Sequence, residues 1–116
     1  MDKHKRAILF QLEPELAGPL RAALSATPLQ VETDACEDGA QLAEMDAHWI
    51  FTGNLNALEQ AIGPAADAGA KVVVVSRLAD TRTYLDVMER GAHDYCTVPF
   101  DRAHLAWVLQ SKEKGE

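Results

Sequence analysis

Four consecutive valines, flanked by Lys71 and Ser76, are the feature that most constrains the fold. A run this apolar and β-branched is typical of a strand buried on both faces, as the central strands of a parallel sheet are. Shorter apolar runs alternate with stretches of helical spacing, which predicts an α/β protein. The other strands are predicted at residues 7–10, 29–33, 49–52 and 95–98.

The strand predicted at residues 29–33 differs from the others. Leu29, Val31 and Thr33 alternate with Gln30 and Glu32, so one side of this strand meets water. This alternation predicts a place near the edge of the sheet.

The third helix is predicted to be short. Leu55, Leu58 and Ile62 fall on one helical face, and Asn54 is suited to cap the amino end. The following Gly63-Pro64 pair predicts the end of this helix, because proline disrupts helical hydrogen bonding.

The remaining helices are delimited by similar signals. Asp80 or Thr81 caps the fourth helix, which ends at Gly91, and Asp101 begins the last one. The first helix begins at Pro14 or only at Pro19. A weaker second helix is predicted at residues 40–45.

Composition limits the chain to one domain, predicted at residues 1–110, with 111–116 a polar tail or the start of a linker. The formal net charge of -7 is the wrong sign for direct binding of nucleic acid or anionic lipid. The sequence shows neither a membrane span nor a signal peptide, so we expect a cytoplasmic protein. Cys36 and Cys96 are predicted to be reduced thiols, and the histidines show no metal-ligand spacing.

Residues 91–100, which read GAHDYCTVPF, resemble the last strand of response-regulator receiver domains. Residues 8–16, 36–40 and 72–77 are similar to other segments of that family, so the resemblance covers nearly the whole chain. The 22-residue step from Ser76 to Val98 also fits the family's spacing between a hydroxyl and a lysine.

This resemblance implies a flavodoxin-like fold: a three-layer αβα sandwich around a five-stranded parallel sheet in the order 2-1-3-4-5. It places the chemistry at the carboxyl ends of the central strands. It also implies a cis peptide bond between Val98 and Pro99.

Receiver phosphotransfer requires an acidic pair after the first strand and an aspartate that accepts the phosphoryl group after the third. It also requires a hydroxyl at the end of the fourth strand and a lysine at the end of the fifth. The matching positions here are occupied by Gln11 and Leu12, Gly53 (with Thr52 as the one-residue alternative), Ser76 and Val98.

These substitutions predict that phosphotransfer is lost. Gln11 and Leu12 lack the carboxylates that Mg²⁺ requires, and Gly53 has no nucleophile. We therefore expect no metal, no cofactor and no enzymatic activity. The 23-residue interval from Gly53 to Ser76 also suggests a trimmed loop after the third strand. Glu13 is interpreted as a solvated charge, and Arg77 either as a solvated loop residue or as a cation over the vacated pocket.

Two features imply that part of the receiver surface is retained. Ser76 and Tyr95 match the hydroxyl and the aromatic residue that move together when receivers switch, although both could be purely structural. An exposed Trp107 is predicted on the surface formed by the fourth helix, fifth strand and fifth helix, which in the family binds a protein partner or a second copy. The candidate interface comprises Arg82, Asp86, Tyr95, Arg102, Ala103, Ala106 and Trp107.

The sequence thus predicts a pseudo-receiver that acts by protein–protein interaction. We expect it to be the regulatory domain at the amino end of a larger response regulator or transcription regulator. The alternative is a flavodoxin-like domain that senses a small ligand in the vacated strand-end pocket. Catalysis by Ser76 or Thr52 is disfavoured because no base accompanies either hydroxyl.

Overall fold

The computed structural model describes residues 5–27, 31–42, 44–77 and 80–110. Its centre is one parallel sheet with the strand order β2-β1-β3-β4-β5, which confirms the order that the resemblance implied. The strands are β1 (Lys5–Phe10), β2 (Val31–Cys36), β3 (Trp49–Thr52), β4 (Lys71–Ser76) and β5 (Asp94–Thr97).

Five helices cover the two faces of this sheet and complete the predicted three-layer sandwich. Buried side chains of α2, α3 and α4 form one core with the sheet, and those of α1 and α5 form the other. The helices are α1 (Pro14–Ser25), α2 (Gly39–Leu42), α3 (Leu55–Ala68), α4 (Thr81–Glu89) and α5 (Arg102–Gln110).

The valine run forms the central strand β4, as predicted. Val72 and Val74 pack into the core beneath α2, α3 and α4, whereas Val73 and Val75 pack beneath α1 and α5. Because side chains alternate along a strand, four successive apolar residues serve both cores. β4 pairs with β3 on one side and β5 on the other, so it has no open edge.

The strand β2 lies at the sheet edge, as its alternating pattern predicted, but its predicted end at residue 33 was wrong. The strand continues to Cys36, and the predicted first residues, 29 and 30, lie outside the described part of the chain. Asp34, which the predicted strand left out, pairs with Arg6 of β1 at 2.9 Å and belongs to the strand. The last strand is likewise displaced by one residue, to Asp94–Thr97.

The predicted end of the third helix at Gly63-Pro64 was also wrong, because α3 continues through Pro64 and closes at Gly69, whose φ is 73°. A residue before proline is normally forced out of helical geometry by a clash between its Cβ and the proline ring. Gly63 has no Cβ, so the helix can continue. Gly18 precedes Pro19 in the same way, and α1 begins at Pro14.

The other helix boundaries follow the predicted caps more closely. The Asn54 side chain accepts a hydrogen bond from the Ala57 amide at 2.7 Å, and Asp80 caps α4. Gly91 has a φ of 111°, in the region that favours glycine. The short helix α2 ends at Leu42 instead of residue 45. None of the helices in the described ranges is long and apolar enough to cross a membrane.

We predict that Pro64→Ala raises the free energy of unfolding by about 1–3 kcal/mol, because an alanine amide restores the hydrogen bond to the Gln60 carbonyl. Chemical denaturation monitored by circular dichroism measures the effect. Pro14→Ala is the matched control, since proline is tolerated in the first turn of a helix and its replacement should change stability little. Equal effects of the two substitutions would contradict this account of α3.

Candidate functional site

The carboxyl ends of the strands bring the sequence-predicted pocket residues together. Gln11 and Leu12 follow β1, Gly53 follows β3 and Ser76 ends β4. The Val98 amide donates a hydrogen bond to the Ser76 carbonyl at 3.1 Å, so the end of β5 lies beside the end of β4. The peptide bond from Val98 to Pro99 is cis, as the resemblance implied.

Hydrocarbon fills the space beside Gly53. A Cβ atom added to Gly53 would lie 3.0 Å from Leu12 Cδ1 and 3.6 Å from Leu16 Cδ1. The Leu12 side chain is buried and belongs to the same core cluster as Leu16, Phe51 and Val75. The position that matches a receiver carboxylate is therefore part of the apolar core.

The Gln11 side chain connects three elements. Its Nε2 donates to the Glu37 carbonyl at 3.0 Å and to Gln60 Oε1 at 3.4 Å, which ties the end of β1 to the loop after β2 and to α3. Gln11 itself has a φ of 50°, an uncommon conformation for a residue other than glycine. These contacts give Gln11 a structural role at the site. Within the described residues, no three His, Cys, Asp or Glu side chains converge in a way that could hold a metal ion.

Thr52, the alternative acceptor position, is completely buried. Among the described residues, its Oγ1 atom has no hydrogen-bond partner. A hydroxyl becomes a useful nucleophile when an adjacent base removes its proton. The surroundings of Thr52 in the described structure supply no such base. Only Gly53 and Asn54 separate β3 from α3, which agrees with the predicted shortening of this loop.

An exposed ion pair joins the end of β4 to the start of α1. Arg77, directly after β4, donates a hydrogen bond to Glu13 at the amino end of α1. This bond and the negative charge of Glu13 raise the pKa of Arg77. The sequence interpretation of Glu13 as a solvated charge misses this partner, 64 positions along the chain. Arg77 is consequently not an unpaired cation above the pocket.

Ser76 and Tyr95, the predicted switch pair, lie on the same face of the sheet. Tyr95 pairs with Val74, and Ser76 is two residues further along the same strand, so the two side chains are diagonal neighbours. The Tyr95 ring is buried and meets the Tyr84 ring edge to face, with 6.1 Å between the ring centres.

The face formed by α4, β5 and α5 carries the large exposed apolar side chains of the described structure. These are Tyr84, Leu85 and Trp107, which are 41%, 55% and 62% exposed. The exposure of Trp107 confirms the helical-wheel prediction. Tyr84, Leu85 and His104 were not predicted on this face. Leu85 lies about 200° around the helical wheel from the buried Val87, so its exposure could be predicted from the sequence.

The other members of the predicted interface differ in exposure. Arg82, Arg102 and Ala103 are exposed, Asp86 and Ala106 are partly buried, and Tyr95 is buried. Asp86 also pairs with Arg90 at 3.2 Å.

The free thiols of Cys36 and Cys96 are both buried. Burial, with a smaller contribution from Asp94, raises the pKa of the Cys96 thiol to about 12, so this thiol is neutral at physiological pH.

Comparison with known proteins identifies the fold. No protein-family model and no curated protein matches the sequence. Among solved structures, a response regulator from Thermotoga maritima is 15% identical, with a TM-score of 0.74 over 94% of this chain and 100% of that chain. The magnesium-bound receiver domain of the sensor histidine kinase PA1611 from Pseudomonas aeruginosa is 18% identical, with a TM-score of 0.68 over 93% of this chain and 96% of that one.

A pilus assembly protein, CpaE from Caulobacter crescentus, is also similar in structure. It is 19% identical, with a TM-score of 0.58 over 90% of this chain and 89% of that chain. Together with the strand order, these similarities show that the chain has the receiver fold.

We predict that Gly53→Asp lowers the free energy of unfolding by at least about 2 kcal/mol, because the new side chain meets Leu12 and places a carboxylate among hydrocarbon groups. Leu12→Ala should relieve part of this loss by opening space. A double-mutant cycle measured by denaturant unfolding tests the coupling between the two positions. Additive effects of the two substitutions would show that Leu12 does not limit the space beside Gly53.

Proposed function

We propose that this protein is a receiver-like signalling module that acts by docking to another protein and does not undergo phosphorylation. The observation that carries this proposal is the position of Leu12 Cδ1, 3.0 Å from where a Cβ atom of residue 53 would lie. Magnesium prefers octahedral coordination by carboxylate and other oxygen atoms. A buried leucine at this point supplies neither charge nor a ligand atom, and it occupies the space that a phosphoryl group would need.

The other side chains at the site support the same proposal. Val98 has no cation to offer to a phosphoryl oxygen. Arg77 is held by Glu13, and Gln11 is engaged by the Glu37 carbonyl and by Gln60. The charge of Arg77 is therefore paired within the protein, and the Gln11 amide already has acceptors.

The docking surface in this proposal is the face formed by α4, β5 and α5. Trp107 and Leu85 expose more than half of their side-chain surface there, and burying such groups against a partner is favourable. Arg82 and Arg102 add charge at its rim. The partner is a second protein or a second copy of this chain, and an output domain linked to the same chain also fits this role. A similar fold in a pilus assembly protein supports a role of this fold in contacts between proteins.

The alternative of a small ligand in the strand-end crevice has less support. Leu12 and Leu16 occupy the space beside Gly53 that such a ligand would enter. A catalytic role for Thr52 is also disfavoured, since its buried hydroxyl contacts no base in the described residues.

We predict that acetyl phosphate and Mg²⁺ leave the protein unmodified, because the site has neither an acceptor nor a metal ligand. Intact-protein mass spectrometry measures the gain of a phosphoryl group. The control is a variant that combines Gln11→Asp, Leu12→Asp, Gly53→Asp and Val98→Lys, which restores the family's side chains. Phosphorylation of the unaltered protein that disappears in Ser76→Ala or Thr52→Val would refute the proposal.

We predict that Trp107→Glu abolishes partner binding, because it places a charge at the centre of the docking face. Quantitative mass spectrometry of proteins captured from cells, together with sedimentation velocity for self-association, measures binding. Ala22→Glu is the matched control, since Ala22 is exposed on α1, away from this face. The same captured proteins and the same sedimentation for both variants would argue against docking through α4, β5 and α5.

A further inference from the structure

A groove of about 340 Å³ lies between α4, β5 and α5, within the proposed docking face. This volume is near the lower end of the range for ligand pockets, about 300–1,000 Å³, and suits one long side chain better than a large ligand. Aromatic rings form much of its wall. The side chains that define its chemistry are Tyr84, Tyr95, Phe100, His104, Asp80 and Asp101.

Two carboxylates lie along the groove. Asp80 accepts hydrogen bonds from the Arg82 amide at 3.2 Å and from the Thr83 hydroxyl at 2.8 Å. Asp101 accepts one from the Ala103 amide at 2.9 Å. Both are helix caps, yet an ionised carboxylate has about four acceptor positions, so each keeps the capacity to bind a further donor.

The carboxylates of Asp80 and Asp101 make the lining of the groove negative, and Arg82 and Arg102 are not part of that lining. Among the described residues that line it, none is a lysine or arginine, and His104 has Asp94 Oδ2 at 3.6 Å from its Nε2. The buried Cys96 thiol is neutral and contributes no charge. The net charge of -7 on the whole chain adds a long-range attraction for cations. An anionic group would meet repulsion from both carboxylates.

The aromatic wall of the groove also favours a cationic ligand. The Tyr84 ring is 41% exposed and is held in place by its edge-to-face contact with Tyr95. A cation near the face of an aromatic ring is stabilised by the ring's quadrupole. A planar guanidinium can stack on such a ring and also donate two hydrogen bonds to a carboxylate, whereas a lysine ammonium cannot stack.

We infer that the groove receives an arginine side chain of the docking partner, with its guanidinium beside the Tyr84 ring and paired with the carboxylates of Asp80 and Asp101. This inference rests on the proposed docking function and specifies the chemistry of the partner. It commits to a basic segment of another protein, since two copies of this chain, each with a net charge of -7, repel each other, whereas a basic segment is attracted.

The experiment removes the two charges and keeps the two caps. Asparagine caps helices about as well as aspartate, so the double variant Asp80→Asn/Asp101→Asn should fold normally. The control, Asp67→Asn/Glu89→Gln, changes the net charge equally at two exposed positions outside the groove. The probe is a capped seven-residue peptide of alanine and serine with a central arginine. An otherwise identical peptide carries citrulline, the neutral isostere of arginine.

Titrations followed by amide chemical shifts in NMR spectra measure the affinities. We expect the arginine peptide to shift the groove amides saturably and to bind at least about fivefold more tightly than the citrulline peptide. The groove double variant should weaken this binding by at least about tenfold, and the control variant should stay within about twofold. Circular dichroism confirms that each variant is folded.

Three results would overturn the inference: no saturable shifts at the groove, equal affinity for both peptides, or equal affinity of the two double variants. A Trp107-dependent dimer that covers the groove would also overturn it, by making the second copy the occupant. If the arginine peptide does not bind but Trp107-dependent partner capture is observed, the groove inference fails and the proposed docking function stands. If Trp107→Glu instead captured the same proteins as the unaltered chain, while arginine binding was unchanged, the docking function would be refuted and the groove site would stand.

Discussion

The contact between Leu12 and Gly53 determines what the carboxyl edge of the sheet can do. In a parallel sheet of this topology, that edge is where loops and helix amino termini converge and where polar ligands are normally held. Here a buried leucine side chain lies 3.0 Å from the Cβ position of Gly53, and Leu16 closes the same space. Apolar packing thereby joins α1 to the ends of β1 and β3, and this part of the edge continues the core.

The fold was predictable from local signals because each is satisfied within a few residues. The valine run specifies a strand buried on both faces, and Asn54 specifies a helix start through its bond to the Ala57 amide. The proline rule failed in α3 because a glycine before Pro64 removes the steric clash on which the rule depends. The end of β2 was missed because Arg6 compensates Asp34 across the sheet, a contact between residues distant in sequence.

Part of the candidate site was predictable from the sequence, and part depends on tertiary packing. The pocket positions could be assigned by register from the family resemblance, and β-strand pairing brings their backbones together. That Leu12 turns inward to fill the space could not be predicted, since it depends on the packing of Leu16 and Phe51. The pairing of Glu13 with Arg77 joins two loops through the tertiary fold alone. The groove beside Tyr84 also arises only when α4 and α5 are placed around β5.

The proposed function, docking without phosphorylation, has a consequence for regulation. A ligand shifts a conformational equilibrium only through a difference in its affinity for the two states, and a phosphoryl group would normally supply that difference. In this structure Arg90 joins the end of α4 to Glu59 on α3 and to Asp86, while Arg77 joins the loop before α4 to α1. An ion pair thus connects the carboxyl end of α4 to α3, and another connects the end of β4 to α1. In the proposed role, the face is presented without a covalent trigger, so partner occupancy follows from partner concentration and affinity.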